Sequence, residues 1–223
     1  MFNKKKYRIG TRQSPLALKQ VDEIRVALNK IYPAADFEIV GIDTYGDKDK
    51  ITPISEMEGS DFFTREIDIA LLEGKVDFAV HSAKDLPDKI LEGLELAAIT
   101  ESIDLHDALV SKLNFTIDKL PKGAKIAASS LRRKFQLKKY RKDFQIVDVR
   151  GNIQERLSQL QVGSFDAVII AACALVRLGL EEKITQRIPL EILTPHPLQG
   201  ALAVVTKKDN KELINWLKVL NAK

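Results

Sequence analysis

The sequence predicts an α/β protein of two lobes, with short strands alternating with helices and the chain passing between the lobes twice. Three observations lead there. Runs of five or six residues rich in β-branched side chains recur along the whole chain, most of them followed by a segment with helical periodicity. Two polar, Pro- or Gly-containing connections, TESIDLH at 100–106 and LTPHPLQG at 193–200, interrupt that alternation. The 223 residues can bury either one large core or two cores of roughly 100 residues each. If both connections are crossovers, residues 1–103 and 199–223 form a discontinuous first domain and 104–198 form the second. Two such lobes joined by two strands would leave a cleft between them.

The expected strands are 7–11, 37–42, 77–81, 94–99, 107–111, 124–128, 144–149, 166–171 and 201–206. The expected helices cover 15–31, 62–73, 130–141, 152–161, 173–179 and 210–221. The first helix is the best signalled. Ser14 suits the N-cap and Pro15 the first helical position, while Val21, Ile24, Leu28 and Ile31 fall on one apolar face. Strands alternating with helices argue for mostly parallel sheets covered on both faces.

Composition narrows the partners. Hydrophobic residues make up 45% and charged residues 30%, as in an ordinary globular protein. The 35 basic and 31 acidic residues leave a formal charge of only +4, so any strong positive field must be local. One cysteine excludes an intramolecular disulfide and suits a reducing compartment. The N-terminal MFNKKKYRIG has no apolar signal core, and no apolar run approaches the roughly 20 residues that span a bilayer. A cytoplasmic monomer with no membrane partner is therefore expected.

In open α/β sheets, ligands bind beyond the carboxyl ends of the strands. Those positions are rich in cations and hydroxyls: Arg12 and Ser14, then Ser82, Lys84 and Asp85, then Ser129, Ser130, Arg132 and Arg133. Arg150 follows another strand with Arg156 a turn later, and Arg177 lies a turn beyond the strand that ends near Ala171. Arginines in the first turn of a helix oppose its dipole by about 0.3–1 kcal/mol each at exposed sites. A bound anion, held by free N–H groups and guanidinium forks together, would reverse that penalty. A carboxylate suits the planar fork of Arg, and phosphate fits the same site. By contrast, Lys138, Lys139, Arg141 and Lys142 read as a solvated face that complements the helix C-terminus. Nucleic-acid binding through 132–142 would require a strongly salt-dependent affinity. The charge balance and the lack of interleaved stacking aromatics argue against it.

Asp85 is the one carboxylate among these strand-end cations. It reads either as a turn residue before Leu86-Pro87 or as an acid/base group or partner for a cationic substrate atom. Lys84 reads either as a loop lysine or as part of the same site. His81, His106 and His196 share no metal-ligand spacing, so no metal is expected. Cys173 lies in the apolar run AVIIAACAL and reads as a core thiol.

These stretches resemble the hydroxymethylbilane synthase (porphobilinogen deaminase) family. The matching segments are RIGTRQSPLALKQ (8–20), GD (46–47), FTREIDIALLEGKVDFAVHSAKDLP (63–87), SSLRR (129–133), VRGNIQERLSQL (149–160), FDAVIIAACALVRLGL (165–180) and LQGALAV (198–204), in the family's order. The resemblance implies two α/β domains of type II periplasmic-binding-protein topology around an interdomain active-site cleft. It implies an enzyme, a transferase of haem and tetrapyrrole biosynthesis that deaminates porphobilinogen and joins four units into a linear tetrapyrrole. It also implies a dipyrromethane cofactor. Asp85 takes the catalytic position in the match. Arg12, Lys84, Arg132, Arg133, Arg150, Arg156 and Arg177 would hold carboxylates of cofactor and chain, with hydrogen bonds from Ser14, Ser82, Ser129, Ser130 and Gln199. On the same match, burial among cations would keep Asp85 ionised.

The sequence departs from the family pattern in places. The Gly-Lys-Gly-rich loop is Gly59-Ser60-Asp61-Phe62-Phe63, and Pro-Arg-Asp-Ala becomes Leu105-His106-Asp107-Ala108. The Thr before Ser-Ser is Ala128, and Gly-Gln-Gly is Leu198-Gln199-Gly200. The family's third domain, with the cysteine that anchors the cofactor, is expected to be absent, leaving Cys173 as the alternative anchor. No covalent cofactor is then expected on the chain. The competing expectation is a non-catalytic binding module for a pyrrole or another polycarboxylate anion.

Overall fold

The computed structural model describes residues 6–49 and 60–222, so Gly59 of the departing loop lies outside the described residues. These residues divide into two compact lobes. Lobe 1 contains 6–49, 60–102 and 201–222, and lobe 2 contains 103–200.

Lobe 1 is built on strands β1 (Lys6–Arg12), β2 (Asp36–Ile42), β3 (Phe78–Ser82), β4 (Leu94–Ile99) and β10 (Leu202–Lys207). They lie in the order β2-β1-β3-β10-β4. Helices α1 (Pro15–Ile31), α2 (Tyr45–Lys48), α3 (Arg65–Leu72) and α7 (Lys211–Leu217) belong to the same lobe. In lobe 2, β5 (Asp107–Ser111), β6 (Lys125–Ala127), β7 (Gln145–Val147), β8 (Ala167–Ala171) and β9 (Gln186–Arg187) lie in the order β7-β6-β8-β5-β9. Its helices are α4 (Leu131–Tyr140), α5 (Ile153–Gln161) and α6 (Ala172–Arg177).

The two sheets share one design. β1 runs parallel to both β2 and β3, and β6 runs parallel to both β7 and β8. The fourth strand of each sheet is reversed: β10 is antiparallel to β3 and β4, and β5 to β8 and β9. The sheets are therefore mixed rather than uniformly parallel. The reversed strands are those that carry the chain into a lobe from the other one, so no helical crossover sets their direction.

Local signals explain the helices. The Ser14 hydroxyl accepts from the Ala17 amide at 3.3 Å, and Pro15 begins α1. Asn152 and Glu155 close a capping box on α5. Ahead of it, Gly151 adopts φ 98°, where a Cβ would meet the Glu155 side chain, so glycine is required at that turn. In lobe 1, Val21, Ile24 and Leu28 of α1 pack with Ile9, Phe78, Val204 and Trp216 on one face of the sheet. Ile67, Ala70 and Leu71 of α3 pack with Val76, Ala79 and Val205. Ile31, expected on the apolar face of α1, is half exposed at its last residue. Lobe 2 has its own core of Leu109, Ile126, Leu137, Phe144 and Ile169.

Asp68 lies on the buried face of α3. Burial pushes its carboxyl up to about 6, a hydrogen bond from Thr64 partly opposes this, and the nearby Asp61 charge adds to it. The folded protein thus holds more protons at Asp68 than the unfolded chain does, from the ordinary carboxylate range up to about pH 6. Stability from this group is present in acid and is lost as pH rises through that window. His81 acts oppositely. Burial first, then the Arg12 charge, lowers it to about 4, so its contribution grows as pH rises from there. Asp68→Asn removes only the first effect. It is expected to stabilise the protein at pH 8 by on the order of 2 kcal/mol. Its melting temperature should exceed wild type at pH 8 and converge at pH 4; equal melting at pH 8 would refute this account.

Candidate functional site

The predicted site residues of lobe 1 gather at one sheet edge. β1 and β3 are adjacent and parallel, so Arg12 at the end of β1 and Ser82 at the end of β3 leave the sheet on the same side. A single 3₁₀ turn, Ala83–Asp85, continues from β3 and is tied to the neighbouring strand by the Ala83 amide, which donates to the Ala201 carbonyl at 3.0 Å. That turn carries Lys84, half-buried, and Asp85, exposed. The burial expected around Asp85 is not found, because the turn projects its carboxylate outward at the end of the strand. Ser82 accepts from Gln20 Nε2 at 2.8 Å, and Ser14 caps α1.

Arg12 is already engaged within the lobe. Its Nε and Nη2 clasp the Asp47 carboxylate at 3.1 and 2.5 Å, and its guanidinium lies 4.5 Å from the centre of the Phe63 ring. Asp47 in turn accepts from the Thr44 hydroxyl at 2.8 Å. Burial would raise the Asp47 carboxyl, but the Arg12 and Thr44 contacts outweigh it and hold the group below its usual range. Gly46 permits this arrangement, since a Cβ there would stand 2.4 Å from the Phe63 ring.

In lobe 2, Ser129 and Ser130 lead from β6 into α4, and Ser129 donates to the Val149 carbonyl at 3.0 Å beside the end of β7. Arg150 follows β7 and, with Gly151, Asn152, Gln154, Ser158 and Gln159, lines a concavity of about 540 Å³ at the start of α5. Arg156 donates to the Gly151 carbonyl at 2.8 Å, at the mouth of that turn. Arg177 ends α6 and donates to the Gly200 carbonyl at 2.8 Å. Arg132 and Arg133, in the first turn of α4, both pair with Asp107, at 2.8 and 2.6 Å. Gln199 donates to the same carboxylate at 2.9 Å. Burial would raise Asp107, but the Arg133 and Arg132 charges overwhelm that effect and hold it far below the carboxylate range.

Two acids, Asp47 in lobe 1 and Asp107 in lobe 2, thus pair with candidate site arginines of their own lobes, although cation counting passed over both. Asp47 lies in the matched Gly46-Asp47 pair, and Asp107 opens a wholly buried strand. Cys173 is buried in α6, at 5% exposure. Among the described residues, no helix is long and apolar enough to cross a membrane.

A family model described as "Porphobilinogen deaminase, dipyromethane cofactor binding domain" matches residues 7–215. The chain belongs to the porphobilinogen deaminase family. A porphobilinogen deaminase from Natranaerobius thermophilus is 46% identical over 217 residues, covering 97% of this chain and 70% of the relative. Another, from Brevibacillus brevis, is 43% identical over 96% of this chain and 69% of its own length. The porphobilinogen deaminase fold seen here also resembles more distant structures. The OxyR2 regulatory domain from Vibrio vulnificus superposes with a TM-score of 0.55 at 13% identity, covering 99% of this chain and 97% of that one. The probable amino-acid ABC transporter extracellular-binding protein ytmK from Bacillus subtilis gives 0.53 at 19% identity, covering 96% and 88%. At that identity the likeness establishes the fold alone, two α/β lobes with mixed sheets.

Dipyrromethane is a polycarboxylate, and a carboxylate ligand needs fixed cations and hydroxyl or amide donors. Lobe 2 supplies these around the α5 concavity, where Arg150 stands with Asn152 and Ser158. The one acid there, Glu155, already accepts from the Asn152 amide at 2.7 Å, so its charge is directed at the helix cap. The residues present fit such a group.

Proposed function

We propose that this chain acts as a hydroxymethylbilane synthase, deaminating porphobilinogen and joining the pyrrole units into the linear tetrapyrrole hydroxymethylbilane. The observation that carries the reading is the position of Asp85. It is an exposed carboxylate with no ion pair or hydrogen bond among the described residues, at the end of β3 with Ser82 and Lys84 and on the side of the sheet where the adjacent β1 delivers Arg12. In this reading the cations and hydroxyls hold the acetate and propionate groups of the pyrroles, and Asp85 accepts from a pyrrole N–H. The aminomethyl C–N bond then breaks, its electron pair leaves with ammonia, and the positive charge that develops on the pyrrole lies next to the Asp85 carboxylate. When bound, dipyrromethane would supply a nucleophilic pyrrole carbon for this cation, that carbon's proton being lost as the new C–C bond replaces its C–H bond. Arg150, Arg156, Ser129 and Ser130 would hold the cofactor's carboxylates in lobe 2, Arg132 and Arg177 would serve the same anionic chain, and Arg133 and Gln199 would support it through Asp107. Supporting this is the family match, which runs through all of these positions.

The purified chain is expected to consume porphobilinogen and release a tetrapyrrole, followed by absorbance. Saturable binding without consumption would favour the binding-module alternative instead.

Further details of the proposal are a cytoplasmic location, in keeping with the single cysteine of these 223 residues, a monomeric state, and a cofactor that is not anchored at Cys173. The one thiol is buried, and a buried thiol in apolar surroundings is a poor nucleophile. Native mass spectrometry is expected to read a monomer of 25.0 kDa, and denaturing spectra the unmodified chain. A dimer, or a two-pyrrole adduct that survives denaturation, would overturn the respective point.

A further inference from the structure

Asp107, the acid at the start of β5, has a side chain with no exposed surface, and both of its oxygens are occupied. Oδ1 accepts from Arg133 Nε at 3.1 Å, from Arg133 Nη2 at 2.6 Å and from Gln199 Nε2 at 2.9 Å. Oδ2 accepts from Arg132 Nη2 at 2.8 Å. The other amino group of Arg132 donates to the Thr194 carbonyl, and Gln199 also donates to the Leu105 carbonyl at 2.8 Å. One carboxylate therefore ties the first turn of α4 to both segments by which the chain enters and leaves lobe 2.

We infer that Asp107 is a positioning residue, which fixes the guanidinium plane of Arg132 so that its remaining edge meets a ligand carboxylate, while Arg133 serves Asp107 rather than the ligand. This rests on the reading of lobe 2 as a carboxylate-binding lobe. Exposure separates the two arginines: the Arg132 side chain is 25% exposed and that of Arg133 only 7%. A free arginine loses much rotamer freedom when it grips a ligand, whereas one already clamped by two acceptors has lost it on folding. Two guanidiniums against one carboxylate also leave a surplus positive charge, which is the sign a carboxylate ligand needs.

The inference has a test that turns on sign. If Asp107 were merely a negative charge near the site, Asp107→Asn would raise the positive field and tighten anion binding. If Asp107 positions Arg132, the same change weakens binding despite the added positive charge. Porphobilinogen affinity is measured by calorimetry on the whole chain, wild type and Asp107→Asn, with melting curves run on the same samples. The expected result is a loss of about tenfold, the size of one oriented charge-assisted hydrogen bond, in a variant that remains folded. Binding within roughly threefold of wild type, or tighter, overturns the inference. A purely structural role would lower the melting temperature and leave the affinity of the folded protein unchanged.

If Asp107→Asn alone does not fold, the charge-balanced pair Asp107→Asn with Arg133→Gln replaces it, with the same loss expected. If wild type itself fails to bind porphobilinogen, the functional reading is at fault. Positioning is then decided by the Nη–H resonances of Arg132, which should be resolved and slow to exchange in wild type, where Nη2 donates to Asp107, and lost in Asp107→Asn. A rapidly exchanging wild-type signal would overturn it.

Discussion

Asp85→Ala is expected to lower porphobilinogen turnover by about 10²–10⁴-fold, the range for removing a positioned charged group that acts in the transition state. Melting temperature should not change. The carboxylate is exposed, and no hydrogen bond or ion pair from it holds the fold among the described residues. Substitutions at such positions usually stay within about 0.5 kcal/mol of neutral. Asp85→Asn keeps the shape and a hydrogen-bond acceptor but removes the charge. It should fall close to the alanine variant if charge stabilisation dominates. Asp88→Ala, three residues on and also exposed, controls for a general loss of negative charge and should keep full turnover. The comparison is made by initial rates at saturating substrate. Turnover by Asp85→Ala within a few-fold of wild type would remove Asp85 from the chemistry.

What the sequence reveals about this fold is mostly local. α1 is legible because its cap, its proline and its apolar spacing all lie within the helix. α5 is legible for the same reason, through Asn152 and Glu155. The direction of β5 and β10 is not legible, since apolar periodicity shows that a segment is a strand but not which way its neighbour runs. β9 is two polar residues, Gln186 and Arg187, and α2 is a single turn at Tyr45–Lys48, and neither is long enough to show a period.

The site divides in the same way. Strand ends can be read from the sequence, so the cations and hydroxyls that follow them can be named in advance. Their partners cannot: Arg12 meets an acid 35 positions away, and Arg132 meets one 25 positions away. The basic stretch 129–143 shows the same limit. Lys139 and Lys142 are exposed as expected of a solvated face, while Lys138, also exposed, donates to the Phe144 carbonyl of its own lobe. Arg141 is not part of it. It clasps Asp143 at 2.7 Å, donates to the Leu120 carbonyl at 2.9 Å and lies 4.2 Å from the centre of the Phe144 ring. A charge that folds back onto its own lobe looks, in sequence, the same as one that points to solvent.

Trp216→Ala is expected to destabilise lobe 1 by about 3–5 kcal/mol, the usual range for truncating a buried large aromatic. Trp216 sits on α7, is 5% exposed, and stacks on Tyr32 at 4.6 Å and Tyr7 at 5.0 Å between ring centres. It joins the last helix to β1 and to the end of α1, so it secures the segment that returns to lobe 1 through β10. Its indole N–H is buried without a partner among the described residues. Trp216→Phe therefore gives up area but also removes an unsatisfied donor, and it should cost much less than alanine. Because this is the only tryptophan, unfolding has to be followed by circular dichroism rather than by its fluorescence. The two large effects are then separable. β10 adjoins β3 and anchors the turn that carries Asp85, so Trp216→Ala should lose turnover only as its folded fraction falls and recover it on cooling. Asp85→Ala should stay inactive while fully folded. If Trp216→Ala melts with wild type, the aromatic stack is not what holds the returning segment in place.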